Sequence, residues 1–273
     1  NRGRLADLHN RCQGPRLTGL RTTSRVLRVN LKEILGTVAI QVANRAGFEL
    51  RRRPRYFAQT ADDFLRGLIT RNEPVVIDVG ANNGASVVRF KKIFNRPIIH
   101  CFEPSPDAFL ALQKAHGSAG VILNQTALSS STGSANLNII PSRNDLSSLE
   151  DFNTSSDWFA SRNPERSVVS CEVSKTTFDD YWGSYQQKID LMKIDTQGHE
   201  VEVLIGASGC LREPRLRPSV IEVEANLGNS YTRTSVMWEI DQPLSTHGYF
   251  LAYIKKPINL LANPHDQVDL IYV

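Results

Sequence analysis

The sequence predicts an α/β chain built on a doubly wound, mostly parallel sheet with an antiparallel C-terminal edge. Three observations predict it. Residues 75 to 84, VVIDVGANNG, are a β-branched run opening through a glycine-bounded turn into a helical pattern. Downstream, apolar strand-like runs alternate with helical patterns, the rhythm of parallel strands joined by crossover helices. Near the end, two strand-like runs follow one another with no helix between them, which reads as a hairpin.

In chain order, Thr60 with Asp63 reads as a capping box opening a helix through about Ile69, and Glu73-Pro74 stops the approach to the first strand. Val75 to Val79 is apolar enough to be covered on both faces, with one carboxylate, Asp78, near its carboxyl end. Gly80 and Gly84 bracket a turn in which a missing Cβ permits a sharp bend and close approach of a ligand. The helix from Ala85 to about Phe94 presents free N–H groups at its start. Further strands are expected near 98–102, 120–123, 189–194 and 218–224, with helices near 106–116 and 199–206. A helix near 234–247 then leads to strands at 249–254 and 268–272, joined through Pro257, Asn263 and Pro264.

Residues 124 to 180 break this rhythm. Two short strand candidates, 135–140 and 167–173, flank a long Ser-, Asn- and Asp-rich stretch, and compact domains rarely keep such a loop without a use. It reads either as a segment, Arg143 to Glu150, that closes over a ligand or as a mobile surface insertion. Trp158 and Phe159 could stack on a sugar ring, although adjacent aromatics equally suit one buried and one partly exposed side chain. Asn124 to Ala127 follow the third strand, where an adenine edge is met in such sheets.

Composition bounds the functional classes. At 273 residues with 41% hydrophobic content, the chain suits one packed α/β domain with additions. Cys12, Cys101, Cys171 and Cys210 show no C-x-x-C spacing, so neither a zinc ribbon nor a disulfide framework is indicated, and a reducing, cytoplasmic setting fits. No run approaches the ~18 apolar residues of a membrane span. The first residue, Asn1, suggests that a further segment precedes it. Charge is uneven: residues 1–56 carry thirteen Arg or Lys against Asp7, Glu33 and Glu49, a net +10 that leaves −6 on the remainder of a +4 chain. Leu27, Leu31, Leu35, Val38 and Val42 recur at helical spacing, so residues 1–59 read as a basic helical extension preceding a domain at 60–273. That extension suits docking on the domain, or peripheral contact with an anionic inner membrane face or an acceptor. Nucleic acid is disfavoured, because stacking aromatics are almost absent before Tyr56.

The G-A-N-N-G turn lacks both the G-x-G-x-x-G spacing of a dinucleotide pyrophosphate site and the Lys-Ser/Thr ending of a P-loop. A nicotinamide oxidoreductase is therefore the weaker reading. Glu103 closes the second strand, where a carboxylate can accept both ribose hydroxyls. Each signal has a plainer alternative: an ordinary tight turn for the glycines, a solvated strand end for Glu103. The fourth strand ends in Asp195, and Thr196-Gln197-Gly198 turns into a helix bearing His199 and Glu200. The Asn/Asp-Pro-Pro-aromatic signature of base methylation is absent there. Glu222 and Glu224, two apart on the next strand, share a face, with Glu224 nearer the cleft.

The runs IDVGANNGAS (77–86), HCFEPSPDAF (100–109), TTFDDY (176–181) and LMKIDTQGHEVEVLIGA (191–207) resemble those of the FkbM-type methyltransferases, over about residues 60 to 273. The resemblance implies the class I methyltransferase (Rossmann-like) fold, S-adenosyl-L-methionine as cofactor, and O-methylation of a sugar or glycoconjugate. A polyketide or peptide natural product is the alternative acceptor, and a noncatalytic binding member the alternative role. By motif position it implies that Asp78, Gly80, Ala81, Asn82, Asn83 and Gly84 line the methionine part of the cofactor. Glu103 with Pro104 would bind the ribose, Ser148 in the run 144–149 would lie near the adenosine, and Asp195 would face methyl transfer. An alcohol needs a base as its oxygen attacks, and Asp195 or His199 could accept the proton. His199 could equally be a solvated first-turn residue. Glu200, Glu224 and Trp158 are the expected acceptor contacts, though Glu200 also suits the helix N-terminus. Asp195, Glu222, Glu224 and Asn226 could supply oxygen ligands to a divalent metal, but their spacing demands none.

Overall fold

The computed structural model describes residues 60–117, 120–185, 187–233, 235–255 and 267–273. The basic extension, with its expected amphipathic helix and membrane or acceptor contacts, lies outside the described residues, as does the proline-containing loop 256–266. Thr60 caps the helix Ala61–Leu68 by accepting the Asp63 N–H at 3.1 Å, as the capping pattern predicts.

Strand β1 (Val75–Val79), buried throughout, lies between two parallel neighbours, β2 (Ile98–Phe102) and β8 (Leu191–Ile194). The strand β3 (Val121–Asn124) continues the sheet beyond β2, and β9 (Val220–Asn226) runs parallel to β8. Beyond β9 come β11 (Gln267–Tyr272) and the edge strand β10 (Leu251–Ile254), both antiparallel to their neighbours. The order is β10-β11-β9-β8-β1-β2-β3. This is the class I methyltransferase architecture: chain order reverses between β1 and β8, and a crevice opens at their carboxyl ends.

Alternation along β1 explains what each face holds. Val75, Ile77 and Val79 join the core formed with Met192, Val203 and Ile240, while Val76 packs on the other face with Val87 and Phe90 of the helix Ala85–Ile93. Asp78 shares the parity of Val76 and so points under that helix.

The stretch 124–180 is a second, four-stranded sheet rather than a long loop. Its strands β4 (Ala127–Leu128), β5 (Gly133–Ile140), β6 (Arg143–Ser148) and β7 (Val169–Thr176) are arranged β4-β7-β5-β6. Sparse burial along β5 and β7 hides their period, because their outer positions carry Ser, Asn, Glu and Lys. A helix, Asp157–Arg162, is capped by Ser156 and packs Trp158 and Phe159 into a third apolar cluster with Ile140, Leu146, Phe152 and Tyr231. Two further short helices, Phe178–Trp182 and Ser208–Arg212, are joined where the Asp179 carboxylate accepts the Gly209 and Cys210 N–H groups at 2.7 and 2.8 Å. Among the described residues no helix is long and apolar enough to cross a membrane.

Candidate active site

The turn after β1 is dictated by crowding. Gly80 has φ 79°, and a Cβ there would lie 1.9 Å from the backbone oxygen of Asp195 on the neighbouring strand. Asn82 takes φ 47°, and its N–H donates to Glu103 Oε2 at 2.7 Å. Glu103 Oε1 accepts the Ser105 N–H at 2.9 Å. Glu103 is nearly buried, and burial pushes its carboxyl up to about 7 against the pull of those two donors.

A cavity of about 490 Å³ opens beside this turn at the strand ends. One wall is Gly80, Asn82, Asn83, Glu103 and Pro104, a second is Thr126 to Leu128, and a third is Arg143 to Leu149. Asp195, Gln197, His199, Glu224 and Gln267 form the far end. There Gln197 Nε2 donates to Asp195 Oδ1 at 3.0 Å and to Glu224 Oε2 at 2.7 Å. Its Oε1 accepts from Tyr231 Oη at 2.9 Å and Gln267 Nε2 at 3.0 Å, which fixes the amide's orientation.

The two acids differ in charge. Burial opposes ionisation of Asp195, but Lys193 Nζ at 3.2 Å and the Gln197 amide outweigh it and hold the carboxyl below its ordinary value. Glu224 is driven well above its ordinary value by burial and then by the charges of Asp195, Glu200 and Asp269. The same cluster thus holds Asp195 toward the carboxylate and Glu224 toward the neutral acid. Burial disfavours the Lys193 ammonium, yet Asp195 and Asp78 keep it charged.

The Methyltransferase FkbM domain matches residues 78–251, more than half of the chain. The chain belongs to the FkbM methyltransferase family. This FkbM protein is 27% identical over 162 residues to the 2-O-methyltransferase NoeI of Sinorhizobium fredii, a match covering 54% of this chain and 63% of NoeI, under two thirds of that relative's length. It is 28% identical over 207 residues to the methyltransferase sdnD of Sordaria araneosa, covering 63% of this chain and 79% of sdnD. Among solved structures, Aeropyrum pernix fibrillarin with natively bound S-adenosyl-L-methionine aligns at TM-score 0.43 and 12% identity, over 78% of this chain and 73% of that one. A TehB-like S-adenosylmethionine-dependent methyltransferase from Corynebacterium glutamicum aligns at TM-score 0.39 and 7% identity, over 89% and 98% of the two chains.

The cavity fits S-adenosylmethionine, the cofactor that the family resemblance implies. Each Glu103 oxygen, having accepted one backbone N–H, keeps acceptor capacity for a ribose hydroxyl. When bound, the cofactor supplies an electrophilic methyl group.

The structure brings Gly80, Asn82, Asn83, Glu103, Pro104, Ser148, Asp195, His199 and Glu224 to one cavity. Five other expected residues stand elsewhere. Asp78 is fully buried behind the turn, bonded by Ser86 Oγ and 3.4 Å from Lys193 Nζ. Ala81 and Gly84 are buried, the former donating its N–H to Phe102 O and the latter packed against His116. The expectation that Trp158 meets the acceptor is corrected: it is 2% exposed inside the third cluster, stacked with Phe152. Glu200 is likewise corrected, since its buried carboxylate turns back to accept the N–H groups of Thr196 and Gly198 and organises the loop that presents Gln197. Of the expected segment Asn124 to Ala127, Thr126 and Ala127 line the cavity, joined by Leu128, while Asn124 turns inward, its amide donating to Cys101 O at 3.0 Å.

His199 reaches the cavity with both ring nitrogens engaged, Nδ1 2.7 Å from Glu150 Oε1 and Nε2 3.0 Å from Ser129 Oγ. Sequence reasoning missed Lys193, Gln197 and Gln267. Lys193 was findable, because a lysine two residues before Asp195 on a buried strand needs carboxylate partners; Gln267 carried no signal. The metal reading gains nothing here. Among the described residues no group of three or more His, Cys, Asp or Glu is placed to hold a metal ion, and the Lys193 ammonium stands between Asp78 and Asp195.

Proposed function

We propose that this enzyme transfers a methyl group to a hydroxyl oxygen of a sugar or glycoconjugate. The observation that carries this reading is the cavity's far end, where the Asp195 and Glu224 carboxyls and the Gln197 and Gln267 amides converge. Such a surface offers hydrogen-bond acceptors and donors to several hydroxyls at once. The name of the relative NoeI, a 2-O-methyltransferase, agrees with an oxygen acceptor.

In this reading Asp195 accepts a hydrogen bond from the reacting hydroxyl and takes its proton as the oxygen loses it. Lys193 and Gln197 hold the carboxylate in place, so the oxygen is aligned before it reacts. Glu224 and Gln267 contact neighbouring hydroxyls. The test incubates the protein with S-adenosylmethionine carrying a labelled methyl group and a panel of free sugars, glycolipids and oligosaccharides. Label recovered in a base-stable methyl ether supports the proposal. Label entering only amines, carboxyl esters or non-glycosyl natural products would overturn it.

A further inference from the structure

The wall formed by Arg143 to Leu149 pairs with its sheet along one edge only and packs Leu146 into the third apolar cluster. Strand β6 is an edge strand, paired to β5 through Asn138 with Ser148 and Ile140 with Arg143, with an irregular register between. Its firm anchorage lies at its far end, on the loop that follows Asp195. Ser148 Oγ donates to Gln197 O at 2.7 Å, and the Glu150 N–H donates to Ser148 Oγ at 2.9 Å. Glu150 Oε1 then meets His199 Nδ1 at 2.7 Å, while Ser129 Oγ holds Nε2 from the opposite side.

The Glu150 oxygen suits an Nδ1–H donor, and the Ser129 hydroxyl then occupies Nε2. No ring lone pair is left for an acceptor's proton. Glu150 also faces a second cavity of about 440 Å³, bounded by the helices Glu200–Gly206 and Met237–Thr246. The pair therefore forms the partition between that cavity and the cofactor cavity, and with the Ser148–Gln197 bond and the Asn138 amide on Glu150 O at 3.2 Å it holds the end of an edge strand.

We propose that His199 is a positioning residue which, with Glu150, latches the Arg143–Glu150 strand over the cofactor cavity and releases it for cofactor exchange. The inference rests on the reading that this cavity holds S-adenosylmethionine. Trypsin needs several residues around a bond to leave the strand, and release of the strand end permits that at Arg143, so limited cleavage of the full chain, read site by site by mass spectrometry, reports the latch. Cleavage after Arg215, on a turn away from both cavities, is the reference for general loosening.

S-adenosylhomocysteine slows Arg143 cleavage in the unaltered protein. Glu150→Leu and His199→Phe speed Arg143 cleavage roughly tenfold relative to Arg215 and weaken S-adenosylhomocysteine binding by a similar factor, the scale of a charge-assisted hydrogen bond. His199→Asn, whose amide N–H can replace Nδ1–H, restores slow cleavage. Unchanged Arg143 cleavage in both disrupting variants, or acceleration matched at Arg215, overturns the latch. If S-adenosylhomocysteine fails to bind the unaltered protein, the cofactor reading falls while the unliganded cleavage ratios still decide the latch.

Discussion

Raising the pH from 6 to 8 should tighten S-adenosylhomocysteine binding by about tenfold, through Glu103. This carboxyl is nearly buried, and its value of about 7 reflects burial opposed by the Asn82 and Ser105 N–H groups. Ribose hydroxyls donate to the ionised form, so affinity follows the ionised fraction, which rises from roughly one tenth at pH 6 to roughly nine tenths at pH 8. That tenfold change is about 1.4 kcal/mol. The folded protein without cofactor should show the opposite trend. Because the native value lies above the unfolded one, the native state binds more protons between pH ~4.5 and ~7, and this group's contribution to stability declines as pH rises through that window, by up to about 3 kcal/mol. Titration calorimetry across the pH range, with Glu103→Gln as the control, reads the first effect, and urea unfolding reads the second. Affinity that is flat from pH 6 to 8, or a slope that survives in Glu103→Gln, would refute the reasoning.

Three other outcomes are expected. Gly80→Ala places a Cβ against Asp195 O at a positive φ and should cost about 3 kcal/mol or more in urea unfolding; a loss under about 1 kcal/mol would show that β1 and β8 can separate there. Trp158→Ala should lower stability by about 3 to 5 kcal/mol, since it empties the third cluster, and a loss under about 1 kcal/mol would show that the cluster does not depend on this ring. Asp195→Asn should leave S-adenosylhomocysteine binding within about threefold while cutting methyl transfer by roughly a hundredfold or more; undiminished transfer would remove Asp195 as the proton acceptor.

What the sequence determined by itself is the set of features governed by local rules. The β1 strand, the Gly80 turn and the Thr60 cap follow from side-chain alternation, φ preference and the reach of a hydroxyl across three residues, so they were legible within ten residues. Glu103 was legible because strand and helix lengths in such a sheet space its acidic strand end predictably from the turn. The second sheet was largely hidden, since edge strands carrying Ser and Asn bury too little to print a period. Tertiary structure alone decided which polar groups meet. Glu150 and His199 are 49 residues apart, and Gln267 reaches Gln197 across 70, only because β11 returns beside β9. It also decided which expected residues stand outside the cavity: Trp158 and Glu200 satisfy their own domain, one by apolar burial and the other by holding a turn. Local sterics act between neighbours in the chain, whereas the site is assembled by strand pairing across long separations, and only the folded arrangement sets those distances.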